Sequence, residues 1–245
     1  MDYLTLVLAA SGTALATGVG AIPVFLLGSR AERLRSGMWG FAAGTMGVAS
    51  VVGLLLPAFN EGSDTAVWSG VVAGAAFVLA TQLLLKNREP RVAGLRGRDV
   101  RSSVLVFAVL FVHSAPEGLA IGTAYASHTG GLGLFVILAI ALQNVPEGTS
   151  VAIPMAQAGF SARQQFWAAV GTSAPQPVAA VAAFALVDAV AGLLPFSFGF
   201  AAGAMFALVA IELAPRALVA GWRGALAGAT AGAALMLALS ALLGV

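Results

Sequence analysis

His113 and Glu117 stand four residues apart, and so do Gln143 and Glu147. Four residues is one helical turn, so each pair shares a helix face. The pairs lie in H-S-A-P-E-G (113–118) and Q-N-V-P-E-G (143–148), 30 positions apart, each near the middle of a long apolar stretch. Two adjacent antiparallel helices joined by a short turn would bring both pairs to one depth. A carboxylate at mid-membrane costs roughly 2.5–3.5 kcal/mol on insertion scales, and more in simulations. No Lys or Arg lies in the surrounding apolar runs to offset two of them. The glutamates must therefore be protonated, paired, or neutralised by a bound cation. A divalent ion would neutralise both, and His113 and Gln143 would complete a four-ligand set of N and O donors. Imidazole with carboxylate suits zinc and neighbouring transition ions, whereas magnesium and calcium prefer all-oxygen sites.

Three alternatives stay open on residue chemistry alone. The glutamates could sit protonated and hydrogen-bonded in a packed core. They could relay protons or other cations through a non-metal channel. The same four ligands could also activate water in an intramembrane metal-dependent enzyme if one coordination position stayed open. No H-E-x-x-H motif supports that last case.

Each motif also carries a proline directly before its glutamate. Pro116 cannot donate to the Val112 carbonyl, nor Pro146 to that of Leu142, so both helices are expected to kink. Freed carbonyls at membrane depth are tolerated where they face protein or a watered cavity. Broken helices at a midplane site are a feature of transporters. Gly118 and Gly148 follow and relax the local crowding.

The elements that must position these residues are membrane spans. Hydrophobic residues make up 60% of the 245 and charged residues 9%, against about 25% charged in soluble domains. At about 20 apolar residues per span, eight spans fit: Leu4–Leu27, Gly37–Ala58, Thr65–Leu85, Ser102–Tyr125, Leu132–Met155, Ala162–Val187, Ser197–Ala214 and Gly221–Leu243. The opening M-D-Y-L has no basic region, so the first run is expected to be a retained helix. Arg30, Arg33 and Arg35 follow span one. Lys86, Arg88, Arg91, Arg96, Arg98 and Arg101 follow span three, Arg163 follows span five, and Arg216 and Arg223 follow span seven. Alternate connections share one side, so all twelve basic residues fall on one side, the cytoplasmic one by the positive-inside rule. Both termini are then extracellular or periplasmic, in a multi-pass protein of the cell (inner or plasma) membrane. This topological use of the charge argues against a nucleic-acid partner despite a pI near 9.7. Cysteine is absent, which excludes disulfides and thiolate metal ligands. Trp39, Trp68, Trp167 and Trp222 fall near span starts, where interfacial aromatic belts form.

A repeat runs through the chain. G-F-A-A-G-T-M (40–46) in span two matches G-F-A-A-G-A-M (199–205) in span seven at six of seven positions. The two spans cross in opposite directions, as inverted repeats require. Repeats of about 1–86 and 160–245 would flank a central pair, about 102–157, that carries both glutamate motifs; a cytoplasmic loop spans 86–101. The whole chain is one transmembrane domain. Glycine stripes at 70/74 and 224/228/232 allow close helix approach, within one chain or between two copies of a homodimer. Met46 and Ser50 are read as core, and His128 as a solvated residue of an outer loop.

The doubled H-S-A-P-E-G and Q-N-V-P-E-G resemble the paired H-N-x-P-E-G-type motifs of the ZIP (ZRT/IRT-like) metal transporters, nearest the bacterial branch. The resemblance covers the whole chain. It implies an all-α integral membrane fold of eight spans in a 3+2+3 arrangement, with divalent ions moved into the cytoplasm. Zinc heads the list, with iron, manganese and cadmium behind it; the metal is cargo, and no prosthetic group is implied. The carried-over primary site is His113, Glu117, Gln143 and Glu147. A second metal position would use Ser114, Asn144 and Gln176, and it is diluted: Ser114 replaces an Asn, and S-A-P-Q-P (173–177) carries Gln176 in place of Glu. The family's histidine-rich third loop is absent. Glu212, in I-E-L-A-P-R-A, resembles the family's acidic exit residue, and it is equally placed to pair with Arg216 one turn on.

Overall fold

In the computed structural model the described residues are 3–86, 98–127, 129–190 and 192–245. His128 and most of the connection expected at 86–101 lie outside them. Eleven α-helices are present among the described residues. Helix α1 (Tyr3–Val19) turns into α2 (Ile22–Leu27). Helix α3 (Arg35–Val48) continues through a π-helical stretch, Ala49–Leu55, into α4 (Leu56–Glu61). Next come α5 (Asp64–Lys86), α6 (Arg98–Ala126) and α7 (Leu132–Gln157). Helix α8 (Ala162–Thr172) is capped by Ser161 and Gln164 in a reciprocal capping box, and it precedes α9 (Pro175–Ala189). Finally α10 (Leu193–Leu208) runs through a second π-helical stretch, Val209–Leu213, into α11 (Ala214–Leu243).

Seven continuous helical runs among the described residues are long and apolar enough to cross a bilayer, and the last, Leu193–Leu243, has 51 residues. At 1.5 Å per residue that run would reach roughly 77 Å, far beyond a hydrocarbon core of about 30 Å. It breaks at Gly221, whose φ of 151° favours glycine, and the Ser36 hydroxyl donates to the freed Gly221 carbonyl. The two parts pack on different partners, α10 along α5 and α11 along α3.

Polarity is arranged inside out. Leu26, Val72, Val178, Val219 and Leu242 point outward, whereas Thr13, Thr17, His113, Glu117, Gln143, Asn144, Glu147, Gln176 and Glu212 are buried. A water-soluble protein shows the reverse for its charged residues. A lipid solvent explains the pattern, because lipid tails leave helix association to close packing and hydrogen bonds.

Small residues provide that packing. Gly40 and Gly44 meet the α11 backbone at Ala225 and Ala229, and Gly199 and Gly203 meet the α5 backbone at Val67 and Val71. In return Gly228 and Gly232 meet Gly37 and Phe41, while Gly70 and Gly74 meet Phe196 and Phe200. Both sequence stripes are thus used inside one chain. The other main packings are α6 on α9 and α1 on α7.

Helical structure is unbroken across Pro116 and Pro146, and the changes of helix type fall elsewhere. Helix α6 continues through Pro116 and α7 through Pro146 and Pro154. The π-helical stretches precede Pro57 and Pro215 instead. Each of these prolines removes the bond to the residue four before it, Gly53 or Ile211, inside the widened turn. Around Pro116 and Pro146, tertiary packing holds the helix: Gly118 lies against the Gln176 backbone and Gly148 against Thr17.

Candidate metal centre

All four candidate primary ligands are buried on α6 and α7. The Gln143 amide donates to Glu117 Oε1 at 2.9 Å, and Gln176 Nε2 donates to Glu117 Oε2 at 2.7 Å. Both Glu117 oxygens are thereby fixed by neutral amides. Glu147 lies within hydrogen-bonding contact of Glu117. His113 and Glu147 line one small cavity of about 20 Å³ with Met46, Leu110, Ser150, Glu212 and Arg216, so Met46 joins the site as well as the core. That volume is room for about one water.

Among the four candidate primary ligands, two buried atoms lack any hydrogen-bond partner: His113 Nε2 and Gln143 Oε1. His113 Nδ1 faces Glu212 Oε2 at 3.4 Å. A proton on Nδ1 directed at that carboxylate leaves Nε2 as the ligating nitrogen, the usual second-partner arrangement for a metal-binding histidine. The set is open rather than closed: among the described residues, no three His, Cys, Asp or Glu side chains gather as a metal-holding group. His113 is turned toward Glu212.

The residues of the diluted second position separate. Ser114 donates back to the Leu110 carbonyl of its own helix at 3.1 Å. Asn144 and Gln176 instead form a hub with a residue the motifs did not announce, Thr13 of α1. Thr13 Oγ1 donates to Gln176 Oε1 at 2.7 Å. Asn144 Nδ2 donates to the Thr13 carbonyl at 2.7 Å and to Gln176 Oε1 at 3.2 Å, and Gln176 Nε2 reaches Asn144 Oδ1 at 3.3 Å. Nearby, the Thr17 and Ser173 hydroxyls meet at 2.6 Å. Helices α1, α7 and α9 are tied together here by neutral groups, and Gln176 extends the tie to Glu117 of α6.

Glu212 makes the expected pair one turn on and also approaches the candidate site. It is buried beside His113, and it pairs with Arg216 Nη2 at 2.7 Å, a charge contact without hydrogen-bond alignment at Oε1. Gln82 Nε2 donates to its Oε2 at 2.7 Å. The Arg216 guanidinium stacks over Trp39, 4.8 Å from the ring centre. Trp39 therefore faces inward, whereas Trp68, Trp167 and Trp222 are exposed as belt residues should be. Gln82 had no periodic or motif signal to mark it, and Trp39 was marked only as a belt residue.

Comparison with known proteins gives the family. A sequence model of the ZIP zinc transporter family matches residues 86–240. The chain is 30% identical over 245 residues to the zinc transporter GufA of Myxococcus xanthus, covering 94% of this chain and 95% of that protein. It is 32% identical over 242 residues to the zinc transporter ZIPB of Bordetella bronchiseptica, covering 94% and 78%. An Arabidopsis thaliana protein is 38% identical over 207 residues, but the chain spans only 33% of its length.

Proposed function

The chain belongs to the ZIP zinc transporter family, and from that premise we propose that it carries divalent transition-metal ions, zinc foremost, across the cell membrane into the cytoplasm through the site on α6 and α7. Its family is one of transporters, so the intramembrane enzyme falls away. The supporting observation is the pair of unpartnered buried donors, His113 Nε2 and Gln143 Oε1, beside two buried carboxylates. Such atoms are orphaned unless something binds there, and a burial without a partner is unfavourable.

Without an ion, Glu117 and Glu147 lie against each other and share a proton. An arriving ion replaces that proton, takes Gln143 Oε1, and draws His113 Nε2 over from the Glu212 side. Proton release accompanies binding, because ligating groups must be deprotonated. One ion is held at a time: where a third carboxylate would be needed for a second, the Gln176 amide is already spent on Glu117, Asn144 and Thr13.

The membrane topology that serves this has eight crossings, with Leu193–Leu243 divided at Gly221 and both termini outside. We read the pairings α3 with α11 and α10 with α5 as two copies of one packing, since Gly40 and Gly199 sit 159 positions apart and occupy equivalent contacts. The hub binds α1 and α9 to the central pair. Any shift that releases the ion then falls between α1, α6, α7 and α9 on one hand and α3, α5, α10 and α11 on the other.

Flux into proteoliposomes loaded with a metal-sensitive dye tests this. Zinc uptake by the native chain should be lost in Glu117→Gln and Glu147→Gln, with both variants still inserted, and iron(II), manganese and cadmium added in turn rank the cargo. Full uptake by both variants would sink the proposal.

A further inference from the structure

Arg216 does more than balance a charge one turn away. The small cavity holding His113 and Glu147 and a larger one of about 250 Å³ share three lining residues, Trp39, Ser150 and Arg216. The larger cavity continues to Arg35 and Gln157, the end of the bundle where the basic residues gather. Between the two cavities the guanidinium lies on the Trp39 ring and against Glu212. Glu212 in turn faces His113. The contact also bridges the two helix groups: Arg216 and Glu212 belong to α11 and the π-helical turn before it, Trp39 to α3, His113 and Ser150 to α6 and α7.

We propose that Arg216 is a tethered counter-cation that closes the inner mouth of the ion site, and that an ion leaving His113 passes by displacing it from Glu212. A guanidinium suits the task because it is always charged, planar, and able to stack on an indole while paired to a carboxylate. With Arg216 seated, a divalent ion on the path meets a fixed positive charge and an occupied carboxylate. When the ion takes Glu212, the guanidinium is released toward the larger cavity. Glu212 thus never lies bare, which a buried carboxylate could not sustain without a partner. The inference rests on the reading that the His113–Glu147 cavity is the ion path.

The absence of cysteine makes a labelling experiment clean, since one introduced thiol is the whole signal. Leu110→Cys lies behind the closure, lining only the small cavity; Gln157→Cys lines the larger one and is exposed. A membrane-impermeant thiol reagent should modify Gln157→Cys quickly and Leu110→Cys slowly. Adding Arg216→Gln should speed Leu110→Cys about tenfold, the scale of losing one charge-assisted contact, with Gln157→Cys unchanged. Arg216→Lys, which keeps charge but not the stacking plane, should fall between. In the Leu110→Cys chain with Arg216 intact, zinc should speed labelling and calcium should not. An unchanged Leu110→Cys rate, or equal acceleration at both positions, overturns the closure. If Arg216→Gln does not insert, the zinc arm decides alone, and no zinc acceleration overturns it. Labelling needs no net transport, so failed uptake with these rates intact removes the transport reading and not the closure.

Discussion

At the scale of residues, the proposal of a single ion turns on a one-atom difference. Gln176 differs from a glutamate by an amide nitrogen in place of an oxygen. That nitrogen donates to Glu117 at 2.7 Å, so the position acts as a hydrogen-bond donor where a carboxylate would act as a ligand. The native protein in detergent is expected to bind one zinc ion per chain, and Gln176→Glu two, by elemental analysis after equilibrium dialysis. Two ions on the native chain would show that Asn144 and Gln176 ligate after all. The meeting of Glu117 with Gln143 was legible from spacing, because i and i+4 on two adjacent helices leave little geometric freedom. Thr13, Gln82 and Trp39 were not legible. Each reaches the site across a helix interface, and a lone Thr, Gln or Trp in an apolar run has no period to betray it.

At the scale of elements, glycine placement matters more than proline placement. The expectation of kinks at Pro116 and Pro146 came from backbone chemistry that is correct locally. Helical structure runs on through both prolines, and the glycine two residues after each seats another helix against that turn, Gly118 on Gln176 and Gly148 on Thr17. A Cβ at Gly148 would overlap the Thr17 carbonyl oxygen, while Gly47 has nothing within 4 Å. Gly148→Ala should therefore push α1 from α7 and abolish zinc uptake with a clear fall in melting temperature. Gly47→Ala should leave both unchanged, and it removes the entropic burden of glycine in a helix, about 0.5–1 kcal/mol. Equal behaviour of the two variants in a thermal-shift assay would contradict this packing. The long apolar helical runs were legible in the sequence, since hydropathy registers them directly. The π-helical turns were not, because a single extra residue in a turn leaves the apolar pattern almost intact.

At the scale of the molecule, the run from Leu193 to Leu243 depends on one residue to change direction. A Cβ at Gly221 would find space, its nearest neighbour being Ser36 Oγ at 3.5 Å, so only the φ of 151° resists substitution. Gly221→Ala should lower stability by about 1–3 kcal/mol, the scale of a residue forced into a sparsely populated backbone region. An unaltered melting temperature would mean that the chain turns there by another route. The break was placed correctly by a loss of apolar character around Arg216 and Arg223, though the helical hydrogen bonding resumes so quickly that only the backbone angle reveals it.

The Thr13–Gln176 bond joins positions 163 residues apart. A ribosome adding roughly 5–20 residues per second needs roughly 8–30 s to cover that distance. Late in that interval Glu117, Gln143, Asn144 and Glu147 emerge into the membrane with α9 not yet made. The growing chain must therefore shelter its most polar helices, against water, an insertion machine or each other, until the sixth crossing arrives. For this protein the order of synthesis is itself a hazard, and the last third of the chain ends it.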